Sequence, residues 1–170
     1  FRQDIGIKDG RKPASVKFGT RQEDALRRGA TMNAIYWNPV SRELFDPCGG
    51  EADLKERLVR FIGEPNARIK QDALRLLRLT RLRTLIDGQY HPETYTALRE
   101  NAALSAKLSG TRILEELEKI LKLPKPSVAF TDLLELGVLS HIVPELAACR
   151  GVAQPRVYHH EGDVWSHLMQ

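Results

Sequence analysis

Pro65 separates two stretches that follow different periodicities, and this division constrains the fold more than any other feature of the chain. Ahead of it, short β-prone runs at 15–18, 34–37, 43–46 and 58–62 alternate with chain breakers. Asn38-Pro39 marks a tight connection between the second and third runs, and Asp46-Pro47-Cys48-Gly49-Gly50 cannot continue a strand and must turn. Short helices are expected at 22–28 and 51–57. Beyond Pro65 the apolar residues recur at helical spacing almost without interruption, which predicts helices over 67–86, 92–105, 111–121, 127–136 and 139–148. Pro124, Pro126 and Gly137 punctuate the later ones. There is no internal repeat and no low-complexity segment. The fold class that follows is α+β: a small sheet edge with helices, then a helical array.

Composition adds bounds. With 170 residues, 42% hydrophobic and 28% charged, the chain falls among soluble globular proteins. No apolar run approaches the ~18 residues of a membrane span, and an opening charged from its second residue is no signal peptide. The chain opens without methionine and stops inside an apolar pattern at HLMQ, so the expectation is a piece cut at both ends. Cys48 and Cys149 lie far apart and outside metal-ligand spacing, which points to a reducing compartment and hence to the cytoplasm. Residues 1–90 carry 18 Lys/Arg against 12 Asp/Glu, whereas the remaining 80 carry 8 against 10. A basic half joined to a near-neutral half suits a protein that meets phosphates on one side, although a solvated basic surface has the same composition.

The most informative stretch is ARIKQDALRLLRLTRLRTLI at 67–86. Ile69, Leu74, Leu77 and Leu85 give it a core-facing side at helical spacing. Asp72, Arg75 and Arg78 step by three, so on a continuous helix they share an arc of ~120°, with Arg81 at its edge. An ion pair on a wet helix face, worth a few tenths of a kcal/mol, accounts for the Asp72–Arg75 spacing. A second account is recognition: a carboxylate beside a guanidinium offers an acceptor and a fork of donors that match the edge of a nucleobase. Further arginines along such a face can hold a triphosphate by bidentate contact.

This helix, QDALRLLRLTRL, resembles the EDxxR-type motif of class II tRNA nucleotidyltransferases, commonly EDALRMLRAVRF. Upstream, FRQDIGIKDGRKPASVKFGTRQEDALRRGATMNAIYW is similar to that family's FR…DGR.P..V.F….ED..RRDFTINA segment, and FDPCGGEADLKERLVRFIGEP to its D..GG..DL..R.IR.IG.P segment. Downstream, TRILEELEKIL and LLELGVLSHIVPEL resemble its helical neck and body. Nearly the whole chain is covered, in the family's order. The resemblance implies the C-terminal part of a nucleotidyltransferase head at 1–64, base-reading and RNA-binding neck helices at 65–122, body helices at 123–153 and the start of a further domain at 154–170.

It also implies roles. Arg28 matches the arginine that binds the incoming nucleotide, Asp72 and Arg75 the pair that reads the cytosine or adenine edge, and Arg78 and Arg81 further nucleotide-contacting arginines. The implied substrates are ATP and CTP, the implied partner is the 3′ end and acceptor arm of tRNA, and no membrane is involved. Two departures bear on nucleotide choice: the family's RRDFT is Arg27-Arg28-Gly29-Ala30-Thr31, and its EDxxR glutamate is Gln71.

Nucleotidyl transfer needs two Mg²⁺ ions held by carboxylates, which the family supplies from a GSxxR…DxD segment ahead of FR, where this chain begins. No catalytic residue is therefore expected within the chain, and it should not catalyse as it stands. Glu51-Ala52-Asp53 has the right spacing but opens a helix, where acids favour the dipole. Asp4 follows FR where the family often has an acid. At the C-terminus, His159, His160, Glu161, Asp163 and His167 read on their own suggest a metal site. The resemblance is narrower: HHEGDVW.H is similar to the opening of an HD-type phosphohydrolase domain, of which His167 would be the first ligand, too lonely here to bind metal firmly. His91 and His141 read as ordinary helix or loop residues. Three functions follow: a fragment of an enzyme adding C or A to tRNA, a non-catalytic RNA-binding helical module, or a piece of an HD-type phosphohydrolase.

Overall fold

The computed structural model describes residues 1–8, 12–155 and 157–170, with the backbone alone at 2–4, 7–8 and 12–14. Part of the DGRKP stretch, residues 9–11, and the Asp4 side chain thus lie outside the described residues. Strands β1 (Arg2–Lys8) and β2 (Lys12–Phe18) form an antiparallel ribbon, Arg2 opposite Phe18 and Lys8 opposite Lys12. The sequence reading found only the last four residues of β2; the charged and glycine-containing run before it masks the period of two.

Helix α1 (Arg21–Leu26) starts at a capping box in which Thr20 and Glu23 satisfy each other's backbone N–H groups. A 3₁₀ turn, Thr31–Ala34, leads to β3 (Tyr36–Trp37), paired antiparallel with β4 (Leu44–Phe45). The connection at Asn38-Pro39 is tight as expected, with Asn38 Oδ1 accepting from the Val40 and Ser41 N–H groups. Asp46 likewise turns the chain, accepting from Gly50 N at 2.9 Å and Glu51 N at 2.8 Å and so capping α2 (Gly50–Lys55). Gly50 is required at this point: a Cβ there would stand 2.3 Å from the Thr31 carbonyl oxygen.

Strand β5 (Leu58–Val59) pairs in parallel with a strand the sequence reading did not anticipate, β6 (Gln89–Tyr90). A two-residue strand has too short a pattern to be seen locally. This pairing ties the first region to the helices. Between the two strands lies the main correction to the sequence reading: 67–86 is two helices, α3 (Pro65–Gln71) and α4 (Arg75–Leu85). Asp72 leaves helical geometry at φ −151°, ψ 101° and accepts from the Leu74 N–H. An Asp side chain that bonds the backbone two residues on competes with helix continuation. The core side is otherwise as read for Ile69, Leu74 and Leu77, but Leu85 is 55% exposed, and Leu76 and Leu79 are buried in its stead.

The helices that follow are α5 (Pro92–Glu100), a 3₁₀ segment Ala102–Lys107, α6 (Gly110–Leu121), α7 (Pro126–Glu135), α8 (Leu139–Ile142), α9 (Pro144–Ala147) and α10 (Val164–Leu168). The expected helix over 139–148 is split by Pro144, which cannot donate to the turn before it. α4 packs against both α6 and α7. Leu76, Leu77, Leu98, Ile120, Leu133 and Leu139 form the fully buried centre of one apolar core, which reaches back to Val59 and Phe61. None of the described helices is long and apolar enough to cross a membrane. The architecture is α+β, small two-stranded sheets followed by a helical array.

Candidate functional site

The site is built where the turn after α1 meets the α3–α4 junction. Asp24, on α1 and only 3% exposed, holds that turn. It accepts from Arg27 Nε at 2.8 Å, from Arg28 Nη2 at 2.9 Å and from the Tyr36 hydroxyl at 2.7 Å. Burial works to raise its pKa, but the hydrogen bonds from Tyr36, Arg28 and Arg27 outweigh burial and hold the carboxyl well below its ordinary range. Arg28 is fixed in turn: Nη1 donates to the Asn33 carbonyl at 2.8 Å, and the guanidinium lies 5.1 Å from the centre of the Tyr36 ring. Burial opposes its charge, and Asp24 more than restores it. The sequence reading missed Asp24 and Tyr36. The i,i+4 spacing of Asp24 and Arg28 on a helix was the available signal.

Arg68 on α3 joins the two elements. Its Nη2 donates to the carbonyls of Leu26, at 3.1 Å, and Arg28, and its Nη1 to Gln71 Oε1 at 3.1 Å. Arg75, at the start of α4, donates from Nη1 to the Arg68 carbonyl and to Gln71 Oε1 at 3.2 Å. A Cβ placed on Gly29 would stand 3.6 Å from Arg75 Nε, so the Arg75 side chain lies against the residue next to Arg28. Thus the Arg75 side chain lies beside the residue that follows Arg28, 47 positions away in sequence, while the Arg28 guanidinium faces Asp24, Asn33 and Tyr36. Among the described residues Arg75 makes no ion pair. Burial first, then the neighbouring Arg68 and Arg78 charges, push its pKa down to about 10, with Asp72 partly offsetting them. Burial alone lowers Arg68. The junction therefore concentrates positive charge against neutral oxygen acceptors, and Gln71 stands where the resembled motif would place a carboxylate.

Asp72 and Arg75 do not share one continuous helix, because α3 ends at Gln71 and α4 begins at Arg75. Asp72 Oδ1 instead accepts from Arg112 Nη2 at 2.8 Å, across from α6, while Oδ2 lies 3.5 Å from Arg78 Nη1. A cavity of about 350 Å³ opens beside this pair, lined on its polar side by Lys70, Gln71, Asp72, Lys107 and Arg112. Arg81 is committed elsewhere: its Nε donates at 2.6 Å to Glu116, which is 1% exposed, and so ties α4 to α6. Arg112 and Glu116 stand four apart in TRILEELEKIL, and nothing in that spacing announced their partners on another helix.

Glu51, Asp53 and Asp163 each have partners within the chain. Glu51 pairs with Lys55 at 2.7 Å, and both acids of 51–53 sit in the first turn of α2, as the helix-dipole reading has it. Asp53 is buried between Arg60, at 2.9 Å, and the Thr31 hydroxyl, at 2.6 Å. At the other end of the chain, Asp163 caps α10 through Ser166 N and accepts from Gly151 N. His160 is exposed, whereas His159, Glu161 and His167 converge, with one donor atom of each within 4.8 Å of the others. His91 precedes α5 and His141 lies in α8.

Comparison with known proteins places this arrangement. Residues 1–60 match the family described as poly A polymerase head domain, and residues 89–150 that described as a probable RNA and SrmB-binding site of polymerase A. A CCA-adding enzyme of Geobacillus sp. is 37% identical over 143 residues, covering 84% of this chain and 35% of the relative. A multifunctional CCA protein of Chromobacterium violaceum is 37% identical over 153 residues, covering 89% of this chain and 37% of its own length. Among solved structures, the Bacillus stearothermophilus CCA-adding enzyme in complex with CTP superimposes with a TM-score of 0.72 at 33% identity, covering 81% of this chain and 37% of that one. The Thermotoga maritima CCA-adding enzyme complexed with tRNA gives 0.67 at 29% identity, over 74% of this chain and 32% of that one. The chain spans about a third of the length of the curated relatives it matches. The small strands and the helical array agree with these matches: the chain belongs to the family of poly(A) polymerases and tRNA nucleotidyltransferases that includes the CCA-adding enzymes.

Proposed function

We propose that this chain supplies the nucleotide-binding and RNA-contacting part of an enzyme that adds C or A from CTP or ATP to the 3′ end of tRNA in the cytoplasm without a nucleic-acid template. The observation that carries the reading is Arg75, half-buried beside Gly29 and Arg28, with only neutral oxygens as acceptors. A guanidinium so placed gains most from acceptors that arrive from outside, and the hydrogen-bonding edge of a nucleotide's base, the role the family resemblance gives to Asp72 and Arg75, fits that need. Arg28 stands pre-oriented by Asp24 and Tyr36 for the same ligand, and Arg78 is exposed on α4 close by. Family-level support comes from relatives solved with CTP, with ATP and with tRNA.

Asp72 takes part as the reader of the base amino group in this proposal, which requires it to exchange Arg112 for the base. Arg81 has the different task of holding α4 against α6. Mg²⁺ belongs to the activity of the whole enzyme, but Glu51 and Asp53 are spent on Lys55, Arg60 and Thr31, so no metal-dependent step is assigned to these residues. The divisions at 64, 122 and 153 remain the proposed boundaries of head, neck and body.

The test is incorporation of labelled CTP and ATP into tRNA by the whole enzyme carrying Arg75→Ala. Incorporation of both nucleotides should fall about 100-fold or more, the scale of removing a charged transition-state contact, while tRNA affinity changes less than about twofold. Loss of tRNA affinity with normal turnover of bound tRNA would overturn the assignment.

A further inference from the structure

The cavity beside Asp72 carries more positive charge than the ion pair on its wall uses. Among the described residues lining it, Asp72 is the single carboxylate, against Lys70, Lys107 and Arg112 above a floor of Leu104 and Leu108. Both lysines are exposed, whereas Asp72 and Arg112 are largely withdrawn from water, at 14% and 25% side-chain exposure. We infer that this cavity is a phosphate site for the RNA backbone, completed when a base displaces Arg112 from Asp72, so that nucleotide and RNA tighten each other's binding. The inference rests on the base-reading role proposed above for Asp72.

The exchange does not require the carboxylate to move. Asp72 Oδ1 accepts from Arg112 Nη2 at 2.8 Å and, at 3.2 Å, from the Leu74 N–H two residues on. The bond to Leu74 persists when a base amino group replaces the arginine, so Asp72 keeps its aim. Arg112 then needs another anion. It is the third residue of α6, where the helix dipole opposes a cation, and a half-buried charge without a partner is costly. Once released it shares the cavity with Lys70 and Lys107, and three cations at one place suit a phosphodiester. Lys107 and Arg112 also fall within the 89–150 stretch that matches the probable RNA-binding family, which favours a phosphate of RNA over one of the nucleotide's own. Two ligands that both gain from parting the same ion pair are coupled, and equally in both directions.

Equilibrium binding to the whole enzyme of a tRNA ending in a 3′-deoxynucleotide, so that nothing is transferred, tests this with and without CTP. CTP should tighten the tRNA about fivefold or more. It should also steepen the fall of log affinity with log salt by roughly 0.7–0.9, the contribution of one phosphate. In Arg112→Met both effects should vanish. CTP without tRNA should then bind about threefold tighter or more, because Asp72 has no partner to give up; a merely structural arginine would weaken CTP on removal. Arg112→Lys should keep part of the coupling. Lys107→Ala, on the exposed rim, should lower the coupling too, and it decides the matter if Arg112→Met disturbs α6. Coupling absent from the parent enzyme, coupling that survives both Arg112→Met and Lys107→Ala, or CTP weakened in an Arg112→Met enzyme of unchanged unfolding temperature would each overturn the inference. Arg75→Ala separates the two levels: if it still weakens CTP, only the exchange has failed, and if it does not, the base-reading assignment beneath it has failed.

Discussion

The region ahead of Pro65 and the helices beyond it solve the burial problem to different degrees. The helices supply most of the main core, in which Leu76, Leu98, Ile120 and Leu133 are fully buried and to which the first region adds Ala30, Val59 and Phe61. The first region buries only Ala25, Ala34 and Ile62 as a separate cluster, while Phe18 is 99% and Val40 92% exposed. Its order comes instead from polar clamps: Asp24 on two arginines and a tyrosine, Asp46 on the α2 amides, Asp53 on Arg60 and Thr31. Helices can satisfy their backbones locally and need only one apolar stripe each, whereas a two-stranded ribbon leaves both faces to be covered. The difference teaches where stability and function reside: the helical region is the platform, and the clamped region presents Arg28 to it.

Truncation in the helical core should show the largest effect. Leu133→Ala is expected to cost about 3–4 kcal/mol in urea unfolding, within the range for fully buried leucines, while Val16→Ala on the exposed ribbon should cost less than about 0.5 kcal/mol. Equal losses at the two sites would break the contrast between the regions. Next is the link between α4 and α6. Arg81→Met strands the buried Glu116 carboxylate and should destabilise by about 2 kcal/mol, less than a fully enclosed pair because Lys119 still reaches it at 3.2 Å.

The clamp on Asp24 should announce itself through pH. Its folded pKa lies below the ordinary 3.8, so the stability it contributes is complete above that value and disappears as pH falls through the folded pKa. Asp24→Asn should flatten the acid limb of the stability profile and cost about 1–2 kcal/mol at neutral pH. A smaller gain is expected from Gln71→Glu: a carboxylate between Arg68 and Arg75 should stabilise the chain by about 1 kcal/mol, measured by thermal unfolding, and would confirm that these arginines lack a charge partner.

Much of this was legible in the residues. The α+β character, the Asp46–Gly50 turn and most helices follow from breakers and periodicity, and Arg28 and Arg75 stand out in the sequence without any sign that Arg75 packs beside Gly29. What escaped detection has physical reasons. The break at Asp72 depends on one side chain choosing the Leu74 amide over helix continuation, which a pattern of apolar residues does not register. β6 owes its existence to β5 rather than to its own two residues. Arg112 and Glu116 draw no reading from the sequence because their partners, Asp72 and Arg81, are supplied from outside α6.

The central claim is that the under-compensated guanidinium of Arg75, set against Gly29 next to Arg28, is the seat of the incoming nucleotide. Titration of CTP and ATP into the 170-residue chain, followed by calorimetry, tests it most directly. Binding should weaken at least about 10-fold in Arg75→Ala and in Arg28→Ala, a loss of 1.4 kcal/mol or more, and persist in Arg83→Ala, whose side chain faces Asp132 at 3.5 Å. Nucleotide affinity that is indifferent to Arg75 but lost with Arg83 would contradict the account.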